Sequence, residues 1–135
     1  MPKLSGQCLC AAISYSADTE IKMMANCHCT DCRAATGAAY GTLLFVAEDA
    51  LQITGTPKVF KHKAASGADM EKHFCGECGS QLFGRNSNRA NIISVRAGSV
   101  EQSELVKPAA NVYLDSKLAS TPIDPALKGF AKMPS

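Results

Sequence analysis

The sequence predicts a mainly β fold, made of small antiparallel sheets with one short helical turn. Three observations lead there. Short apolar runs recur between clusters of Gly, Pro, Asn, Asp and Ser, the pattern of strands joined by turns. Helix signals are scarce, with one credible start and stop flanking residues 30–36. Seven cysteines fall into two close pairs and one close trio between the strand candidates, which points to metal centres tying those strands together.

Taken in order, residues 12–16 form a short strand candidate. Residues 39–46 and Leu51–Thr54 read as two strands joined by the acidic turn Ala47-Glu48-Asp49-Ala50, and Gly55-Thr56-Pro57 then breaks the chain. Lys58–Lys63 and residues 71–74 flank a Ser66-Gly67-Ala68-Asp69 turn, a hairpin that delivers Cys75. Residues 91–97, with Ile92, Ile93 and Val95, make the best buried strand, and residues 110–114 another. The helical turn is expected over Thr30–Thr36, with Thr30 as N-cap and Gly37 as the stop. From Ser116 the prolines at 122, 125 and 134 and Gly129 argue for loop on the surface, so the tail from about residue 118 is expected to be mostly loop. No repeat, low-complexity segment or linker divides the chain. Residues 1–135 are expected to form a single zinc-binding domain.

Composition excludes several classes of function. The net charge of +2 comes from 14 basic and 12 acidic residues spread along the chain, so no electrostatic footprint for nucleic acid stands out. Apolar runs such as 40–46 and 91–97 are far shorter than the roughly 20 residues of a membrane span. Residues 1–10 contain no apolar secretory core, and a soluble, cytoplasmic protein with reduced thiols is expected. An odd cysteine count also leaves one sulfur spare in any all-disulfide scheme.

The cysteines sort by spacing. Cys75 and Cys78 sit in FCGECGSQLF, where Gly76 and Gly79 permit a tight turn that aims backbone amides at two thiolates. That knuckle needs a second pair, and Cys8 and Cys10 are the isolated pair available. Together the four make a closed structural zinc site. Cys27, Cys29 and Cys32 remain, and one helical turn returns Cys32 to the other two. Three protein ligands with one exchangeable position are the arrangement of a catalytic zinc. Three thiolates make that zinc a weak activator of water and a good holder of an incoming thiolate, so thiol chemistry fits better than hydrolysis. His28 is an alternative fourth ligand that would close the site. His73 reads as a strand-surface residue or hydrogen-bond donor, and His62 as a solvated strand position. Two purely structural zinc sites remain the plainer reading of the same seven cysteines.

Four segments in order, Gly6-Gln7-Cys8-Leu9-Cys10-Ala11-Ala12, Cys27-His28-Cys29-Thr30-Asp31-Cys32-Arg33 with Gly37, Phe74-Cys75-Gly76-Glu77-Cys78-Gly79-Ser80, and Val112-Tyr113-Leu114-Asp115-Ser116-Lys117, closely resemble the glutathione-dependent formaldehyde-activating enzyme family. The resemblance covers about residues 4–130. It implies a mostly β, tent-like zinc fold with two zinc ions per chain, structural at Cys8, Cys10, Cys75 and Cys78 and catalytic at Cys27, Cys29 and Cys32. It also implies a carbon-sulfur lyase that condenses formaldehyde, an aldehyde, with the small thiol glutathione to S-(hydroxymethyl)glutathione. Arg33, directly after Cys32, is the candidate to hold a substrate carboxylate through its forked guanidinium. The alternative is a non-catalytic zinc module that binds a thiol or a protein partner. Three positions depart from the family pattern: Ala34 replaces a second arginine, Asn111 a histidine, and Leu118-Ala119-Ser120 a region that commonly carries tryptophan.

Overall fold

A computed structural model describes residues 3–134 and shows eleven strands and one α-helix. The strands are β1 (Lys3–Gln7), β2 (Ser14–Asp18), β3 (Met23–Cys27), β4 (Gly41–Ala47), β5 (Leu51–Thr54), β6 (Lys58–Lys63), β7 (Asp69–Phe74), β8 (Gln81–Asn86), β9 (Ile92–Arg96), β10 (Ala110–Val112) and β11 (Lys128–Gly129). The helix, α1, spans Thr30–Thr36. A three-stranded sheet runs β1-β2-β5, and an eight-stranded sheet runs β11-β10-β3-β4-β9-β8-β7-β6. Pairing is antiparallel except at β10, which lies parallel to both β3 and β11.

The mainly β class is as the sequence predicts, and the acidic turn after β4 is a single 3-10 turn over Glu48–Ala50. Four strands lie outside the expected set: β1, β3, β8 and β11. Their sequences KLSGQ, MMANC, QLFGRN and KG carry glycine, methionine or asparagine where a strand signal wants β-branched residues. Tertiary pairing decides them. The tail is otherwise loop, with β11 as its one strand.

The two faces of the large sheet have different tasks. On one face Leu44, Val46, Phe83, Ile93 and Val95 meet Leu4, Tyr15 and Ala17 of the small sheet in the main core. Tyr15 and Phe83 pack edge to face at 5.3 Å. Each such side chain contributes roughly 1.5–3 kcal/mol by leaving water. The opposite face carries Ala25, Cys27, Leu43 and Val112, and α1 brings Cys32 down onto it. Phe130, Met133 and Tyr113 from the tail complete this smaller cluster. One face therefore packs the main core, and the other carries the three clustered cysteines.

Candidate metal centres

The first cluster joins two distant parts of the chain. Strand β1 ends at Gln7 and is followed by the buried Cys8 and the exposed Cys10, while the turn between β7 and β8 supplies Cys75 and Cys78. All four sulfurs lie within 4.8 Å of one another, with Cys10 Sγ 3.7 Å from both Cys8 Sγ and Cys75 Sγ. A tetrahedral ion with metal-sulfur bonds of about 2.3 Å requires sulfurs about 3.8 Å apart, so the set fits zinc without rearrangement. Backbone amides serve the sulfurs as expected of a knuckle: Ile13 N–H donates to Cys8 Sγ at 3.3 Å and Glu77 N–H to Cys75 Sγ at 3.4 Å. Gly79 makes the turn at φ +79° and donates its N–H to Cys75 O at 2.8 Å. The Ser80 hydroxyl, followed by the backbone amides of Ser80 and Cys10, holds the Cys78 thiol down at about 5. A thiol so low is already a thiolate at neutral pH, ready to bind a cation.

The second cluster is built by one strand end and one helix. β3 delivers Cys27, and α1 starts two residues later. Thr30 is not its N-cap. Cys29 takes that position with φ −63° and ψ 155°, and its Sγ accepts the Cys32 N–H at 3.2 Å. A cysteine sulfur accepts that N–H as a serine oxygen would, so the helix spans Thr30–Thr36 as expected and only its cap moves, from Thr30 to Cys29. Gly37 ends the helix in the left-handed region and returns its N–H to Arg33 O. Cys27, Cys29 and Cys32 have their Sγ atoms within 4.8 Å of one another, and no His, Asp, Glu or further Cys joins them among the described residues. Within the trio the Cys29 thiol is held lowest, because Cys27 and then Cys32 hydrogen-bond to it, and Cys27 is pushed up as the donor.

The histidines go elsewhere. His28 is fully buried and its Nε2 pairs with Asn111 Oδ1 at 2.9 Å, with the ring tilted against Tyr40 at 4.8 Å between centroids. Its Nδ1 is buried with no hydrogen-bond partner among the described residues, and neither ring nitrogen lies within 4.8 Å of all three sulfurs. His73 is buried rather than on the strand surface, and its Nε2 meets Glu71 Oε1 at 2.9 Å. His62 lies on β6 as expected, but its Nδ1 reaches to 4.0 Å from Asp31 of α1. Arg33 packs half-buried on α1, and its Nε is sealed from solvent with no hydrogen-bond partner among the described residues.

Two further cations share the trio's face, and no motif marks either. Directly paired residues in a sheet project to one side. Lys72 pairs with Gly84, Gly84 with Ser94, Leu43 with Arg96 and Leu43 with Ala25. Lys72, Arg96 and Cys27 thus project to the same side of the sheet. The available signal was a charged residue at the end of 91–97, the segment read as most buried. A cleft of about 810 Å³, lined by Arg96, Gln81, Ser80, Gly41, Tyr40 and Thr36, opens beside the helix. A Cβ at Gly41 would lie 3.8 Å from Cys32 Cβ, so this cleft adjoins the trio. A second cavity of about 550 Å³, around Glu48, Glu71 and Arg85, contains no cysteine.

The sequence model of the family described as glutathione-dependent formaldehyde-activating enzyme matches residues 3–116, a stretch that contains all seven cysteines. The chain belongs to this family. A Schizosaccharomyces pombe protein named an uncharacterized lyase is 29% identical over 117 residues, covering 87% of this chain and 82% of that protein. The crystal structure of a Rhodobacter sphaeroides protein superposes with a TM-score of 0.58 at 17% identity, over 77% of this chain and 96% of the other. That likeness concerns the fold. Family membership makes the chain one of a group of enzymes, and its two cysteine clusters are sets able to bind metal. None of its helices is long and apolar enough to cross a membrane.

Proposed function

We propose that this family member is a zinc-dependent carbon-sulfur lyase that joins glutathione to formaldehyde, giving S-(hydroxymethyl)glutathione. One observation carries the reading: the chain has a complete four-sulfur cluster and a separate cluster of three sulfurs with no fourth side-chain ligand among the described residues. Cys8, Cys10, Cys75 and Cys78 would hold a structural zinc, and Cys27, Cys29 and Cys32 a catalytic one. The zinc bound by the trio supplies a position at which a substrate sulfur is kept as thiolate.

The remaining work belongs to the chain. Cys29 caps α1 and so seats Cys32 beside it, while Asn111 holds the His28 ring through Nε2 and His28 does not join the trio. Arg33, with its partnerless Nε next to Cys32, is suited to a substrate carboxylate. In the reaction the substrate sulfur gives an electron pair to the aldehyde carbon, the new carbon-sulfur bond forms, and the carbonyl π pair becomes an alkoxide that takes one proton. The lyase direction reverses each of these. Seven unpaired thiols suit a reducing cytoplasm.

Thiol addition to formaldehyde also proceeds unaided, so the test is a rate. Exchange between glutathione and its hydroxymethyl adduct is followed by NMR with two-metal protein, and the expected result is exchange faster than in buffer, abolished by Cys29→Ser. Protein that keeps both metals yet leaves exchange at the buffer rate would instead be a non-catalytic zinc module binding a thiol or a protein partner.

A further inference from the structure

Lys72 is 6% exposed and Arg96 8% exposed, depths at which a cation is ordinarily paired with a carboxylate. Neither has one among the described residues. Arg96 is fixed by neutral oxygens, Nε to Gln81 Oε1 at 2.8 Å and Nη1 to Ser94 Oγ at 2.9 Å. Its remaining Nη2 lies across Gly84, where an added Cβ would come within 3.2 Å of it and within 2.8 Å of Ser94 Oγ. Strand β8 thus gives up a side chain so that the guanidinium can lie between Lys72's strand and the trio. The strand register puts Cys27 on the same side of the sheet as both cations, and the cleft that Arg96 lines adjoins Cys32.

We propose that Lys72 and Arg96 are fixed counter-charges that make the Cys27, Cys29 and Cys32 site take its substrate as a thiolate, and so set its specificity for ionisable sulfur. The proposal rests on the reading that a thiol enters this site. Three thiolates on a divalent cation would leave one negative charge and a fourth thiolate two, so a substrate sulfur that arrives as an anion gains from Lys72 and Arg96, while Arg33 on α1 is the cation left for a substrate carboxylate. The four-sulfur cluster differs in being open to water on one side, through the exposed Cys10 and the half-buried Cys78. Both cations act as positioning residues for an anion.

The test uses the two-metal protein and binding rather than turnover. Calorimetry compares 2-mercaptoethanol, a thiol without a carboxylate, with glutathione and S-methylglutathione, whose sulfur cannot ionise. Lys72→Met is expected to weaken both free thiols by about tenfold or more while leaving S-methylglutathione unchanged, and Lys72→Arg to restore them. Gly84→Ala, which displaces Arg96 without removing it, is expected to weaken the same two thiols and provides a second variant if Lys72→Met folds poorly. Unchanged thiol affinity in variants that hold both metals overturns the proposal. Weakening confined to glutathione also overturns it, since Lys72 and Arg96 would then be a carboxylate clamp. If the unaltered protein binds neither free thiol, the reading of the trio as a thiol site fails, and this proposal fails with it.

Discussion

Cys29 serves the helix and the trio with one sulfur, and the two roles separate by substitution. Serine keeps an N-cap acceptor but loses the soft ligand, so Cys29→Ser is expected to drop bound metal from two ions per chain to one with the circular dichroism unchanged. Cys29→Ala loses the cap as well and should cost about a further 1 kcal/mol in denaturant unfolding. Elemental analysis and a urea titration check the pair. At this scale the cysteines were legible because their spacing alone sorts them into a four and a three. Lys72 and Arg96 were not, because only the strand register puts a lysine at 72 and an arginine at 96 on the face of Cys27.

Among the elements, β7, β8 and the 3-10 turn after β4 are joined by one polar network. Arg85 holds Glu48 through two hydrogen bonds of 2.7 and 2.8 Å and reaches Glu71 Oε1 at 3.2 Å, where His73 also binds. His73, then Arg85, keep the Glu71 carboxyl below its ordinary value of 4.5. A depressed carboxylate contributes stability above its unfolded pKa and loses it as the pH falls through the folded one. Stability should therefore be level above about pH 5 and decline on the acid side of 4.5, and Glu71→Gln should flatten that decline. Because Glu71 is partly exposed, the change at neutral pH is expected to be only about 0.5–1 kcal/mol, read from unfolding midpoints at several pH values. Strand β8 has no clear signal in the sequence, since Gly84 interrupts its apolar run. The close approach of Ser94 and Arg96 explains why glycine stands there.

At the scale of the molecule, the four-sulfur cluster ties the start of the small sheet to the turn at Cys75 and Cys78, across a long stretch of chain. Cys78→Ser, or a strong chelator, is expected to lower stability by several kcal/mol, because losing that cation also loosens the packing of Leu4 and Tyr15 on the large sheet. Loss of the trio's cation alone should leave the main core in place. Thermal unfolding with and without chelator, in the unaltered protein and in Cys29→Ser, separates the two. The mainly β class was visible in the turn residues, whereas the parallel seating of β10 between β3 and β11 was not, since it depends on a tail that has no strand pattern of its own. That tail also closes one side of the smaller cluster. Phe130 and Met133 pack against the face that carries Cys27 and Cys32, though they lie beyond residue 116, where the family match ends. The shape of that face can therefore be altered from a segment that contains no cysteine, with all seven sulfurs left where they are.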